Sequence, residues 1–175
     1  MPRLTPARRR PRHAPPKPPP SRERPAPGNR ATAALNIAGT WAVSAALAGT
    51  ELSPPEVREA FSAISRQAIG ASFGSTVLKG ILAGWLIALL VWLMPGSGEA
   101  RFTMIVLLTW LVSVGGFAHI IVGSVEASFL VLSGEASAAD YLWRFFTPTL
   151  LGNVTGGVAL VAALNYGQVA SEVQS

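Results

Sequence analysis

His119 and Glu126 are the ionisable side chains of a long, otherwise apolar run, Phe102 to Leu132. A titratable group at membrane depth is costly to keep, so it marks function by default. An imidazole there has two readings. It can hydrogen-bond a carbonyl freed by a broken helix, or it can face a passage and offer a hydrogen bond or a proton to what passes. Glu126 follows seven residues later, about two helical turns, so the two share a face if the helix is continuous across Gly123. Its carboxylate is expected near the outer end of that helix. It reads either as a rim group or a partner for a neighbouring span, or as a proton relay with His119. Asn153 is a third deep polar residue and needs hydrogen-bond partners, which the backbone around residues 115 to 123 could supply.

The elements that must hold these residues follow from length. Thirty-one residues as one helix would reach roughly 46 Å, against about 30 Å of hydrocarbon. That is too long for one upright helix and too short for two crossings with a turn. Two half-helices with an irregular middle fit. Gly115, Gly116 and Gly123 mark the break, because glycine weakens helix and permits unusual backbone angles. His119, three residues past the pair, then lies near the bilayer midplane. Non-helical backbone survives at that depth only where it is packed in protein or lines a cavity, which favours a pore.

Three further spans are expected at 31–49, 72–94 and 145–166. Lys79 can snorkel from the second to the interface, and Pro148 falls in the first turn of the last, where a missing N–H matters little. A short amphipathic helix is expected in the loop 50–71. The spacings Gly80/Gly84 and Gly152/Gly156 let membrane helices approach closely.

Composition agrees with a bilayer as solvent. Half of the 175 residues are hydrophobic and 13% are charged, and the mean hydropathy is positive, more apolar than a soluble domain of this length conceals. Residues 1–30 hold nine of the fourteen basic residues and ten of the fourteen prolines, with Glu23 as their single acid. Such a stretch reads as a disordered cytoplasmic tail. Through the positive-inside rule it puts both termini, including the short tail 171–175, in the cytoplasm. Charge alone would let it touch anionic lipid, but with no aromatic residue to stack on bases, no nucleic acid partner is expected.

Enzyme chemistry finds no support. There is no cysteine, His13 sits in the tail, and no histidine or carboxylate cluster offers a metal site. His119 and Ser124 are five residues apart on one stretch and cannot face one another as base and nucleophile. No phosphate-binding glycine loop is present, and no cofactor is expected.

Three blocks together resemble the formate/nitrite transporter family: Lys79 to Trp92, Gly116 to Glu126 and Pro148 to Gly157. Their order and spacing match that family's fourth, fifth and sixth helices, and the resemblance spans roughly residues 31–170. It implies an all-α integral membrane protein of the cell membrane, an aquaporin-like bundle with an interrupted helix. It also implies assembly as a pentamer, with one pore per protomer for formate, nitrite or related small monovalent anions. His119 matches the histidine at the pore centre. Ile87 and Val112 fall at apolar constriction positions, Phe117 joins this pore set, and Asn153 matches the asparagine of the sixth helix.

The sequence also departs from the family. The acidic residue often preceding the histidine is Ala118, family asparagines are replaced by Gly84 and Gly123, and Arg66 is the nearest stand-in for an outer-loop lysine. The family's first two helices have no counterpart, so the inverted repeat is incomplete and the proline-arginine tail stands in their place. The expectation is a truncated or misassigned reading frame, or a partner chain that supplies the rest. The rival to a channel is therefore a non-conducting remnant or an assembly subunit.

Overall fold

The computed structural model describes the backbone of residues 29–173 and the side chains of residues 31–167. Expectations for residues 1–28, and for the last two residues, lie outside the described residues.

Helix α1, Asn29–Gly49, is rich in alanine, the strongest helix former. Helix α2, Pro55–Gly70, is the expected amphipathic element. Proline in its first turn and Glu56 near its N-terminus suit the missing hydrogen bonds and the dipole there. Helix α3, Phe73–Leu93, is started by the Ser72 hydroxyl, which accepts from the Ser75 N–H. It ends in 3-10 turns around Pro95. The expected long crossing is indeed two pieces, α4, Arg101–Val114, and α5, Ile120–Leu132. At 14 and 13 residues each reaches only about 20 Å, short of the roughly 30 Å of hydrocarbon that a single crossing needs.

The last helix begins earlier than expected. A capping box of Ser137 and Asp140 starts α6, Ala138–Asp140, which runs through π-helical turns at Tyr141–Phe146 into α7, Thr147–Val173. Pro148 is therefore not in a first turn. It lacks an N–H, and its ring would meet the carbonyl four residues back in a regular helix. The widened turns, in which the Thr147 N–H reaches Leu142, let the helix pass. The helix also continues past residue 166 into the expected tail. Among the described residues three segments are long and apolar enough to cross a membrane: Ala31–Gly49, Phe73–Gly96 and Ala138–Gly167.

Packing has two centres. Helices α3 and α7 form the closest pair, while α1 and α2 lie on α5. The glycines of α3 and α7 explain the first. A Cβ on Gly84 would stand 2.3 Å from the Asn153 carbonyl oxygen, one on Gly152 2.4 Å from that of Val77, and one on Gly156 2.0 Å from that of Ile81. Backbone touches backbone along this seam, which small residues alone permit. In the second centre Phe61 of α2 meets Phe129 edge-on at 4.9 Å. Ser44 of α1 donates to the Val125 carbonyl at 2.8 Å and pairs with Ser128, so helices that have little polar surface are still bonded across their interface. Helix α4 rests chiefly on α3.

Candidate functional site

The break runs from Gly115 to His119. Gly115 ends α4, and Gly116 has φ +59°, a left-handed backbone that glycine adopts without strain. The turn is closed by Gly116 donating to Ser113 and Phe117 donating to Val112, both at 3.0 Å. His119 is extended (φ −112°, ψ 129°), and α5 starts at the next residue. Gly123, expected as part of the break, lies inside α5 instead. Its N–H donates to the His119 carbonyl at 2.9 Å. Its missing side chain serves packing, since a Cβ there would lie 2.5 Å from a ring carbon of Phe145.

Asn153 of α7 fastens this irregular stretch. Its Oδ1 accepts from the Ile120 N–H at 3.0 Å, and its Nδ2 donates to the Ala118 carbonyl at 2.8 Å and to the Gly80 carbonyl at 2.9 Å. The Ile120 N–H and the Ala118 carbonyl are groups that a broken helix strands without partners. One carboxamide thus joins both sides of His119 to α3. The close approach at Gly80, Gly84 and Gly152 is what brings α7 near enough.

Two clefts, of about 330 Å³ and about 840 Å³, lie toward opposite ends of α3, and Ile87 and His119 line both. The smaller is walled by Val112, Phe117, Gly116 and Gly123, and carries Gln67, Lys79 and Glu126. The larger is apolar apart from Asn153, His119 and Asn165 and includes Val91 and Trp92. Ala83, Leu86 and Val112 form a buried cluster onto which Ile87 and Phe117 pack, so three of the expected apolar lining residues share one patch. The imidazole Nδ1 is buried and makes no hydrogen bond among the described residues.

Glu126 is in the middle of α5 rather than near its end, and it shares the smaller cleft with His119. Ser124 pairs with the Tyr141 hydroxyl at 3.1 Å. Arg66 is bound to Glu135, 2.7 Å away. It is Lys79, read from sequence only as a snorkelling group, that lines the cleft. Phe145 was also missed. One aromatic residue among the four of Tyr141 to Phe146 carries no signal of its own, and only the folded chain shows the Phe145 ring against Gly123. Among the described residues no group of three histidines or carboxylates is placed to hold a metal.

Comparison with known proteins places this geometry in context. The model of the family described as "Formate/nitrite transporter" matches residues 30–167. The inner membrane protein YfdC of Escherichia coli is 35% identical over 140 residues, 80% of this chain and 45% of the relative. The formate channel BtFdhC of Bacillus thuringiensis is 31% identical over 57% of this chain and 39% of its own length. Formate-nitrite transporter 2 of Toxoplasma gondii is 32% identical over 54% of this chain and 21% of the relative. The chain thus spans less than half the length of these relatives. No solved structure gives a significant match. With a family model covering most of its length and a helix interrupted at His119, this all-helical membrane protein belongs to the formate/nitrite transporter family.

Proposed function

We propose that residues 31–167 form a wall of a transmembrane pathway for small monovalent weak-acid anions of the formate and nitrite type, with His119 at its central level. The carrying observation is the position of that residue: it stands in a helix break, lines both clefts together with Ile87, and keeps a buried ring nitrogen that no group among the described residues engages.

The chemistry follows from the surroundings. Lys79 gives the smaller cleft a positive charge that favours entry of an anion. The N-terminus of α5 opens directly after His119 and adds the partial positive charge of the helix dipole. Ile87, Val112 and Phe117 then offer only apolar surface, which a hydrated ion does not cross. An imidazole at that level donates a hydrogen bond or a proton to the anion, so that a neutral acid passes the dry part and ionises again beyond it. Glu126, in the same cleft, takes up a fresh proton from water on that side and passes it to the histidine, which is thereby recharged for the next anion. The family likeness extends the reading to a homo-oligomeric ring, a pentamer, in the cell membrane, with both termini cytoplasmic.

Flux of formate and of nitrite into liposomes carrying the full chain tests this. His119→Ala is expected to lower both by about 100-fold, the usual worth of a positioned proton donor. Equal flux in both proteins removes the histidine from the mechanism. A chain that passes neither anion supports the rival reading, a non-conducting remnant or assembly subunit.

A further inference from the structure

Within the smaller cleft, one lining residue, Phe145, comes from the stretch between α5 and α7. Phe145 belongs to the π-helical turns before α7, is 1% exposed, and is held in a cluster with Ala127 and Tyr141. Its ring lies tilted to that of Tyr141, with centroids 6.0 Å apart. Two of its ring carbons approach Gly123 so closely that a Cβ there would stand 2.5 and 2.7 Å from them. Gly123 is one turn along α5 from His119, on the side of Glu126, because its N–H bonds the His119 carbonyl. Any other residue at 123 would put a side chain on this face of the helix. Here an aromatic edge fills that space from the neighbouring segment.

We infer that Phe145, through the ring edge it lays against Gly123, sets the width and the apolar character of the cleft one turn from His119 and thereby selects by size the anions that reach the imidazole. The inference rests on the proposed pathway for its substrate class, but the geometry of the pair stands without it. The placement is built by two unusual local features. Phe145 is buried within the π-helical turns that precede Pro148, and the glycine leaves room for its ring. An aromatic edge offers no strong acceptor or donor, so it discriminates by fit. A pocket of that kind separates ligands differing by a methylene by about 10-fold or more.

The absence of cysteine in the sequence makes a direct test available. A thiol is introduced as His119→Cys in the full chain in lipid vesicles, and its reaction with methyl and with benzyl methanethiosulfonate is timed. Phe145→Ala is expected to raise the benzyl-to-methyl rate ratio by about tenfold, and the better-packed Phe145→Leu by about threefold. In parallel, the ratio of propionate to formate flux is measured with His119 intact, and it should rise in the same order. An unchanged thiol ratio in both variants overturns the inference. A protein that passes no anion yet shows the thiol shift would overturn the proposed pathway and leave Phe145 as the gauge of the cleft.

Discussion

Asn153 brackets His119: its side chain accepts from the N–H that follows the histidine and donates to the carbonyl that precedes it. The imidazole is thereby fixed through its own main chain, and the third bond, to Gly80, ties that main chain to the most tightly packed part of the molecule. If these bonds are removed, buried polar backbone is left without partners, at about 1–3 kcal/mol per group. Asn153→Leu is therefore expected to destabilise the detergent-solubilised protein by about 2–4 kcal/mol in chemical unfolding. Asn153→Asp keeps the acceptor for Ile120 but turns oxygen toward two carbonyls, and it should be at least as damaging. Stability close to that of the unmodified protein in both would show that the break holds itself.

Neighbouring glycines on α7 should answer oppositely to the same change. A methyl at Gly156 would overlap the Ile81 carbonyl, whereas one at Gly157 finds its nearest atom at 3.8 Å. Gly156→Ala forces the two helices apart, at about 3 kcal/mol or more. Gly157→Ala adds an ordinary contact and a better helix former, worth up to about 1 kcal/mol in its favour. Thermal unfolding of the two variants side by side decides the matter, and similar melting temperatures would mean that α7 is not seated as described.

Glu135, in the turn after α5, gives a pH signature outside the membrane. The Ser62 hydroxyl and the Arg66 guanidinium, both on α2, donate to its carboxylate and hold its pKa below the usual 4.5. A folded-state pKa below the unfolded one means that the ionised form is favoured by folding. That contribution is present in full above about pH 4.5 and disappears as pH falls through the lowered value. The pair is largely exposed, so the effect is modest and screened by salt. Glu135→Gln should be slightly less stable than the unmodified protein near neutrality, and the two should converge in acid. A constant difference at all pH values would count against the ion pair.

How much of this was legible in the chain depended on the kind of signal. The interruption at Gly115–Gly116 followed from length against bilayer thickness, a constraint that few alternatives satisfy. The need of Asn153 for partners near the break followed from the cost of burying an amide. Gly123 was ambiguous, because a glycine looks the same whether it frees the backbone or makes room for a neighbour's ring, and only Phe145 decides. The early start of the last helix was encoded in Ser137 and Asp140, three residues apart, and was hidden by Pro148, which reads as a start signal unless π-helical turns precede it. Lys79 lines the cleft together with Gln67 of α2, a neighbour in space that no local pattern contains.

The backbone seam between α3 and α7 constrains how this protein can move. Carbonyl oxygens seated against glycine α-carbons leave no lubricating layer of side chains, so the two helices cannot slide or roll without overlap. They act as one rigid spine, with the histidine's main chain riveted to it through Asn153. Helix α4, which rests chiefly on α3 and ends at the Gly115–Gly116 turn, lies outside this seam and shares none of its backbone contacts.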